Sequence, residues 1–245
     1  MAEFGLIGYP LEHSFSPGWF AKKFQREGIT HHQYRAFPLV RIQDFSDLVR
    51  RHPDLAGLNV TIPYKQLIIP FLDRLSPEAI AVSAVNTLAR EKGEWVGYNT
   101  DIIGFRETLK PLLKTHHRHA LILGSGGASL AVGFVLDQLG IEYRVVSRTP
   151  FNNQLAYDAL DAVSMDYYSV IINTTPVGMF PHVNHAPTIP YPAIGPQHLL
   201  YDLVYNPAET QFLQKGKAQG AQVVNGLGML EMQAEASWDI WNANL

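Results

Sequence analysis

The feature of this sequence that most constrains its fold is a glycine-rich stretch at residues 119–129, which reads HALILGSGGAS. It starts with a short apolar run, 120–123, that is typical of a buried strand. Three glycines follow, and residues 128–139 then carry apolar side chains at helical spacing up to Gly140, a residue typical of helix C-termini. This order predicts the first half of a dinucleotide-binding unit, because the turn brings a pyrophosphate to the helix N-terminus. A plain tight turn is the alternative, since a lone glycine pattern is not specific.

Composition excludes several other classes of protein. The 245 residues include 19 basic and 22 acidic side chains, a balance that does not favour binding to nucleic acid or to a membrane surface. There is no cysteine, so disulfides, thiolate catalysis and cysteine-ligated zinc are excluded. His116, His117 and His119 lie close together, but their place in a predicted linker indicates solvated residues, and we predict no metal site. The first residues lack the features of a signal peptide, which predicts a cytoplasmic protein.

Predicted strands and helices alternate along the whole chain. We predict strands at residues 3–8, 32–37, 55–60, 84–89, 94–98, 120–123, 143–147, 168–173, 199–204 and 222–224, and a closing helix at 227–242. Alternation of this kind predicts α/β units with mainly parallel sheets. The length allows one large domain or two modest ones.

Prolines guide the expected starts of three helices. The Ser-Pro pair at 16–17 predicts a serine cap with proline at the first helical position. Pro63 is expected to open a short helix that carries Lys65. Pro150 is expected to begin a helix after the second strand of the nucleotide unit.

The end of the second strand in the nucleotide unit indicates which dinucleotide binds. An NAD site places a carboxylate there, where it binds the ribose 2′-hydroxyl. This chain has Ser147, Arg148 and Thr149 instead, so no acid repels a 2′-phosphate and one guanidinium can pair with it. The pattern favours NADP over NAD. The alternative interpretation is an exposed arginine followed by a helix cap.

Four clusters of polar residues follow or end predicted apolar elements in the first half of the chain. They are Ser14 with Ser16, Asn59 with Thr61, Asn86 with Thr87, and residues 99–101. Ligands of open α/β sheets bind outside the carboxyl ends of the strands, so the four together favour one pocket suited to a hydroxyl-rich substrate. Any single cluster is better explained by turn and cap chemistry, which uses the same residue types.

Lys65 and Asp101 are the ionisable pair of this set. Reduction of a ketone needs a proton donor as hydride arrives and negative charge develops on oxygen. A partly desolvated lysine beside an aspartate can supply that proton. The alternative is a surface lysine on a helix and an aspartate that caps the next helix.

Motifs along the chain also occur, in the same order, in a known family. They are PLEHSFSP (10–17), NVTIPYK (59–65), AVNT (84–87), GYNTD (97–101), GSGGA (124–128), NTTPVG (173–178), VYNP (204–207) and GMLEMQ (228–233). On these motifs the sequence resembles the shikimate dehydrogenases over essentially its full length. The resemblance implies reversible reduction of 3-dehydroshikimate to shikimate with NADPH, in the chorismate pathway of aromatic amino-acid biosynthesis.

The resemblance also implies roles for individual residues. Lys65 and Asp101 would be the catalytic pair. The substrate carboxylate would meet Ser14, Ser16 and Tyr205, and the substrate hydroxyls would meet Asn59, Thr61, Asn86, Asp101 and Gln233. The cofactor would lie against Gly124, Ser125, Gly126, Gly127, Ala128, Ser147, Arg148, Thr149, Thr174, Val204, Gly226 and Met229. Of these, Arg148 and Thr149 would meet the 2′-phosphate, and the last four would lie near the ribose or nicotinamide.

In fold, the resemblance implies two α/β domains with a cleft between them. The substrate-binding domain would comprise residues 1–101 and 227–245, with a mainly parallel sheet, and the Rossmann-type NADP-binding domain residues 102–226. Gln233 would therefore return to the substrate pocket from the end of the chain. The expected partner is the small-molecule substrate, with no nucleic acid or membrane, and the expected state is a monomer or a homodimer.

Some residues depart from the family pattern. Ser147 replaces a usual asparagine, and residues 151–153 lack a second arginine, which predicts a weaker grip on the 2′-phosphate and a less strict NADP preference. Phe20 replaces a usual histidine, which we interpret as a packing change. Two other functions stay open: a quinate/shikimate dehydrogenase that uses NAD or NADP, and a regulator that binds nucleotide without turnover. The presence of both Lys65 and Asp101 argues against a regulator without turnover.

Overall fold

A computed structural model of the chain describes residues 2–12 and 14–244, so His13 of the first motif lies outside the described residues. The chain forms two compact units, the first from Met1–Ile103 and Glu231–Leu245 and the second from Gly104–Leu230. Each unit holds a six-stranded sheet together with helices. The predicted α/β class is therefore confirmed.

The strands of the described chain are β1 (Ala2–Gly8), β2 (His32–Pro38), β3 (Leu55–Val60), β4 (Arg74–Leu75), β5 (Thr87–Glu91), β6 (Glu94–Tyr98), β7 (His119–Leu123), β8 (Glu142–Ser147), β9 (Leu155–Ala156), β10 (Val170–Asn173), β11 (Leu199–Asp202) and β12 (Gln222–Val224). The α-helices are α1 (Phe15–Arg26), α2 (Phe45–Arg51), α3 (Pro77–Val82), α4 (Asp101–Leu109), α5 (Gly127–Gln138), α6 (Ala162–Tyr167), α7 (Gln211–Ala218) and α8 (Leu227–Asn242). Short 3₁₀ turns occupy Ile42–Asp44, Ile69–Phe71, Lys110–Leu112, Tyr157–Ala159 and Tyr191–Ala193.

The sheet of the first unit has the strand order β2-β1-β3-β5-β6-β4. β1 pairs in parallel with β2 and β3, whereas the hairpin of β5 and β6 joins β3 antiparallel. Lys92 and Gly93 form the two-residue turn of this hairpin, both with positive φ (51° and 94°), because such turns match the twist of the flanking strands. The sheet is mainly parallel, as predicted, with the antiparallel hairpin inserted.

Two clusters of buried apolar side chains form the core of the first unit. One includes Leu58 and Trp95. The other packs Phe4 against Trp241 of α8 with ring centroids 4.8 Å apart. The indole N–H of Trp241 donates to the Leu88 carbonyl of β5 (2.8 Å). The last helix is therefore anchored to the sheet of the first unit, although the second unit separates the two in sequence.

The second unit holds a fully parallel sheet with the order β12-β11-β10-β7-β8-β9. When β7 to β12 are counted as strands 1 to 6 of this unit and the sheet is read starting from β9, the order is 3-2-1-4-5-6, which is that of the Rossmann fold. The order reverses between β7 and β10, which is where such folds bind a dinucleotide. Residues 120–123 of β7 are fully buried, as the apolar run predicts.

The helix starts predicted from prolines are wrong. α1 begins at Phe15 with Ser14 as its N-cap, because a proline is tolerated throughout the first helical turn, where N–H groups have no partner within the helix. Residues 61–68 form turns rather than a helix, since the Lys65 carbonyl accepts a hydrogen bond from Val85 N–H (2.7 Å).

The chain after Pro150 also differs from the prediction. It forms the edge strand β9 instead of a helix, and α6 begins only at Ala162. Asp161 caps α6 by accepting a hydrogen bond from Ser164 N–H (2.8 Å). The sequence predicts a strand over 84–89, but the observed strand β5, which lies between β3 and β6 in the sheet, begins only at Thr87.

Candidate active site

The two ionisable residues singled out in the sequence are in direct contact. Lys65 Nζ lies 2.6 Å from Asp101 Oδ2. Asp101 is the first residue of α4 and is 6% exposed, whereas the Lys65 side chain keeps 20% of its surface exposed. The pair therefore combines a buried acid with a partly accessible amine.

Asn86 joins this pair to two other elements. Its Nδ2 donates to Asp101 Oδ1 (3.0 Å) and to Gln233 Oε1 of α8 (3.3 Å). Its Oδ1 accepts from the main-chain N–H of Thr100 (2.7 Å), which fixes the orientation of the amide because a main-chain N–H can only donate. Both oxygens of Asp101 are thus engaged, one by the lysine and one by an amide.

Buried hydroxyls and amides extend this network. Asn59 is 4% exposed and donates from Nδ2 to Ser237 Oγ (2.9 Å) and Thr87 Oγ1 (3.3 Å). Ser237 also lies within hydrogen-bond distance of Thr87 Oγ1 (2.8 Å) and Thr100 Oγ1 (3.2 Å). Asn59 Oδ1 accepts from the Tyr34 hydroxyl (2.7 Å). The network therefore connects β2, β3 and α8 to the ion pair.

Sequence reasoning missed Ser237 and Tyr34. Ser237 carries a signal, because it lies one helical turn after Gln233 on α8 and so shares a face with it. Tyr34 lies in β2, outside every motif, and no sequence signal points to it.

Three further predicted substrate residues lie at the ends of elements in the first unit. Ser16 lies in the first turn of α1 and is 7% exposed. Ser14 is the half-buried N-cap of α1, and Thr61 follows β3 with its methyl group against Gly8. The role of these three residues at the substrate stays a prediction.

The glycine turn of the second unit joins β7 to α5. Gly124 has a φ of +108°, and a Cβ there would lie 2.7 Å from Thr175 Cγ2 and 2.8 Å from Thr174 Oγ1, so only glycine fits. Gly126, the N-cap of α5, has open space on its Cβ side. The twelve-residue helix α5 therefore begins where an anion can approach its free N–H groups.

The end of β8 lies next to this turn. Ser147 Oγ lies 3.4 Å from Ser125 Oγ and accepts from Thr149 N–H (3.3 Å). Arg148, Thr149 and Ser125 are exposed, whereas Ala128 is half-buried in the first turn of α5. The structure thus brings these predicted cofactor residues together at the carboxyl ends of β7 and β8.

The other predicted cofactor residues follow the neighbouring strands. Thr174, after β10, donates from its hydroxyl to the Leu123 carbonyl (2.8 Å). Val204, after β11, accepts at its carbonyl from Gly226 N–H (3.2 Å). Met229 is a buried residue of α8.

Tyr205 belongs to the second unit, whereas Ser14 and Ser16, its expected companions at the substrate carboxylate, belong to the first. Tyr205 is half-buried, and burial raises the pKa of its hydroxyl. The hydroxyl is therefore protonated and able to donate at neutral pH. Its role at the substrate carboxylate stays a prediction.

A second buried aspartate escaped the sequence analysis. Asp202 ends β11 and is fully buried, and it accepts hydrogen bonds from Asn173 Nδ2 (2.9 Å), Thr210 Oγ1 (2.5 Å) and Val204 N–H (3.0 Å). Burial raises the pKa of Asp202 to about 6. The signal was present, because a charged residue inside an apolar strand needs buried polar partners.

Among residues 2–12 and 14–244, no group of three or more histidine, cysteine, aspartate or glutamate side chains could hold a metal ion. Nor does any helix in this part of the chain combine the length and the apolar character that crossing a bilayer requires.

A Rossmann-type unit with an open glycine turn, and a lysine–aspartate pair among buried amides in the other unit, together define a two-domain oxidoreductase of the nicotinamide-dependent class. The chain belongs to the shikimate dehydrogenase family. Residues 6–88 match the shikimate dehydrogenase substrate binding domain. The resemblance drawn from the motifs is thus confirmed.

Relatives agree with this assignment along nearly the whole chain. The shikimate dehydrogenase (NADP(+)) of Methanococcus maripaludis is 39% identical over 97% of this chain and 90% of its own length. Shikimate 5-dehydrogenase from Thermus thermophilus, solved in complex with NADP(H) and shikimate, is 32% identical with a TM-score of 0.88, covering 100% of this chain and 95% of the other. The enzyme from Listeria monocytogenes, solved with shikimate and NAD, is 28% identical with a TM-score of 0.86, covering 99% and 92%. The predicted Rossmann-type fold is confirmed.

Proposed function

We propose that the protein is an NADP-dependent shikimate dehydrogenase, which interconverts shikimate and 3-dehydroshikimate in aromatic amino-acid biosynthesis. The observation that carries this proposal is the 2.6 Å contact between Lys65 and Asp101, set among buried amides. Relatives that carry this enzyme name over 97% of the chain, at 34–39% identity, support it.

Lys65 is placed to move the proton of this reaction. In the direction of reduction, its ammonium group donates a proton to the carbonyl oxygen of 3-dehydroshikimate as negative charge develops there. In the direction of oxidation, its neutral amine takes the proton of the shikimate hydroxyl. Asp101 fixes the position of the amine with one carboxylate oxygen, while Asn86 holds the other oxygen.

The neighbouring side chains suit a substrate rich in hydroxyls. A substrate hydroxyl would replace the 3.3 Å contact between Asn86 and Gln233, because each amide can pair equally well with an alcohol. In the proposed site the hydroxyls are bound by Asn59, Thr61, Asn86, Asp101 and Gln233, and the carboxylate by Ser14, Ser16 and Tyr205.

Residues of the second unit fit NADP(H). The turn at 124–127 leaves N–H groups of α5 open to a pyrophosphate, and no acid stands at the end of β8. When bound, the cofactor supplies or accepts the hydride. In the proposed site Arg148 and Thr149 bind the 2′-phosphate beside Ser147, the pyrophosphate lies on Gly124, Ser125, Gly126, Gly127 and Ala128, and the ribose and nicotinamide lie near Thr174, Val204, Gly226 and Met229.

The match of residues 6–88 to a substrate binding domain supports substrate binding by the first unit. The proposed substrate domain is 1–101 with 227–245, and the proposed NADP domain is 102–226. The bounds of the compact units differ slightly from these, because residues 102–103 group with the first unit and residues 227–230 with the second. A cytoplasmic location and a monomeric or homodimeric state stay predictions.

Initial rates with four substrate pairs test the proposed function. The purified protein is assayed with shikimate and with quinate, each with NADP⁺ and with NAD⁺. We expect the fastest turnover with shikimate and NADP⁺, because Arg148 is present and no acid at the end of β8 opposes a 2′-phosphate.

The same assay separates the two rival functions. Comparable rates with quinate or with NAD⁺ would identify a broad-specificity enzyme. The lack of a second arginine at residues 151–153 favours use of both cofactors. No turnover with any pair would identify a regulator that has kept the fold and lost the reaction.

A further inference from the structure

Ser237 of α8 lies at the centre of the buried hydrogen-bond network, although no motif contains it. It is fully buried, and its Oγ lies 2.8 Å from the Gln233 main-chain carbonyl, 2.9 Å from Asn59 Nδ2 and 2.8 Å from Thr87 Oγ1. Asn59 and Gln233 are two of the residues proposed to bind substrate hydroxyls. One serine therefore contacts the side chain of the first and the main chain of the second.

The groups around Ser237 determine the direction of its hydrogen bonds. The Gln233 carbonyl can only accept, so it takes the one proton of the serine hydroxyl. Toward Asn59, Ser237 is therefore an acceptor. The NH₂ group of Asn59 can only donate, and it donates to a lone pair of the serine oxygen.

Ser237 is also the nearest acceptor for this NH₂ group. The other two acceptors, Thr87 Oγ1 and the main-chain carbonyl of Asn86, lie 3.3 and 3.4 Å from Asn59 Nδ2, where a hydrogen bond is weaker. Because the serine proton is held by Gln233, Ser237 offers Asn59 only lone pairs. The amide therefore favours the orientation with its NH₂ group toward α8 and its oxygen on the opposite side.

We infer that Ser237 is a positioning residue that sets the orientation of Asn59 toward a substrate hydroxyl, an inference that rests on the proposed function. An amide oxygen carries two lone pairs, so Asn59 Oδ1 can accept from a substrate hydroxyl while it accepts from the Tyr34 hydroxyl (2.7 Å). A flipped amide would turn its oxygen toward a serine lone pair. Ser237 thus favours a substrate hydroxyl that donates its proton to Asn59.

The position of α8 has a second support, independent of the serine hydroxyl. One turn further along the helix, the Trp241 ring stacks on Phe4 with centroids 4.8 Å apart, and its indole N–H donates to the Leu88 carbonyl (2.8 Å). Alanine also has a higher helix propensity than serine. Ser237→Ala therefore removes one hydroxyl and keeps the helix in place.

Steady-state kinetics of Ser237→Ala test the inference. We expect the KM for shikimate to rise ~10-fold, because the NH₂ group of Asn59 loses its nearest acceptor and the amide loses its preferred orientation. The kcat and the KM for NADP⁺ should change less than about threefold, since the contact between Lys65 and Asp101 is retained. An unchanged KM for shikimate, or an equal rise in both KM values, would overturn the inference.

Ser76→Ala is the matched control, because it is the same substitution at another buried serine of the first unit. Ser76 caps α3 by accepting from Ala79 N–H (3.2 Å), so this variant should have a lower Tm but an unchanged KM for shikimate. If Ser76→Ala raised this KM as much as Ser237→Ala does, the effect would come from lost stability, and the inference would fail.

A double variant shows whether Ser237 acts through Asn59. In an Asn59→Ala background, the Ser237→Ala substitution should raise the KM for shikimate by less than about twofold, because the residue that the serine positions is gone and coupled residues are not additive. Fully additive effects of the two substitutions would overturn the inference.

Calorimetric binding of shikimate without cofactor separates this inference from the proposed function. If the wild type binds shikimate but turns over none of the four pairs, the proposed function fails, and a ~10-fold rise in the shikimate Kd of Ser237→Ala would still support the role of Ser237. An unchanged Kd would overturn that role alone. A wild type that neither binds nor oxidises shikimate would overturn both.

Discussion

Each of the two units contains a buried aspartate that accepts a hydrogen bond from an asparagine. In the first unit, Asn86 Nδ2 lies 3.0 Å from Asp101 Oδ1. In the second, Asn173 Nδ2 lies 2.9 Å from Asp202 Oδ1, where the two residues are paired in register on adjacent strands. The two pairs differ in what holds the other carboxylate oxygen, and that difference separates chemistry from structural support.

The partner of the second oxygen decides what each aspartate can do. Asp101 contacts Lys65, a cation with a transferable proton and a side chain that is 20% exposed. Asp202 contacts the neutral hydroxyl of Thr210 (2.5 Å) and is fully buried. Desolvation therefore raises the pKa of Asp202 to about 6. In this chain the pair in the second unit has only neutral partners and supports structure, whereas the pair in the first unit has beside it a partly exposed cation with a proton to transfer.

Lys65→Ala removes the cation that distinguishes the Asn86–Asp101 pair from the Asn173–Asp202 pair. It should have the largest effect in free energy of the three substitutions. We expect kcat to fall ~10³-fold, about 4 kcal/mol in activation free energy, because no group remains to transfer the proton. The KM for shikimate should change less than about threefold, since the amides that bind hydroxyls remain. Steady-state rates in both directions of the reaction measure this split.

Lys22→Ala, at an exposed lysine of α1, is the matched control and should leave both constants unchanged. A Lys65→Ala variant that lost shikimate affinity as strongly as turnover would identify Lys65 as a binding residue rather than the proton carrier.

Asp202→Asn tests the structural half of the comparison through the pH dependence of unfolding. Because the pKa of Asp202 is raised to about 6, the folded state binds this proton more tightly than the unfolded chain does. The ionised carboxylate therefore costs stability above that pH, and the cost disappears as the pH falls toward 4. Relative to the wild type, the variant should gain about 2 kcal/mol in unfolding free energy on going from pH 4 to pH 8.

Denaturant unfolding of both proteins at the two pH values measures this gain. Asp158→Asn, at an exposed aspartate, is the control and should show no pH-dependent difference from the wild type. If the difference between Asp202→Asn and the wild type did not vary with pH, the hydrogen bonds to Asp202 would fully compensate its desolvation.

Sequence patterns were sufficient where the structure depends on neighbours along the chain. The buried strand at 120–123 and the turn at 124–127 were predicted, because glycine geometry and apolar periodicity are local properties. The local setting of Lys65 was not predicted. Its main chain is tied to Val85 N–H, and a bond between distant segments leaves no periodic signal near Pro63.

The buried partners of Asp202 and of Tyr34 could not be predicted, for the same physical reason. Asp202 depends on Asn173, which the register of two parallel strands places opposite it. Tyr34, in β2, donates to Asn59, which belongs to β3. These contacts are set by strand order and register, so a pattern within one segment does not contain them.

Arg148→Ala tests an exposed charge of the second unit rather than a buried one. Of the three substitutions, it should have the smallest effect in free energy. Arg148 is exposed and follows Ser147, whose hydroxyl lies 3.4 Å from Ser125 of the glycine turn. We expect the KM for NADP⁺ to rise ~10-fold, about 1.4 kcal/mol, because one charge-assisted contact to the 2′-phosphate is lost. The KM for NAD⁺ should change less than about twofold, since NAD⁺ has no 2′-phosphate.

The ratio of the two KM values is the quantity to measure, because a change in the fold or in pyrophosphate binding would move both together. Arg144→Ala, at an exposed arginine earlier in β8, is the control and should leave the ratio unchanged. Since residues 151–153 contribute no second arginine, Arg148 supplies the positive charge at this position, and its loss should bring the two KM values within about threefold of each other. An unchanged ratio in Arg148→Ala would mean that neutral donors such as Ser147 and Thr149 carry the cofactor preference, and the exposed guanidinium would then have no part in it.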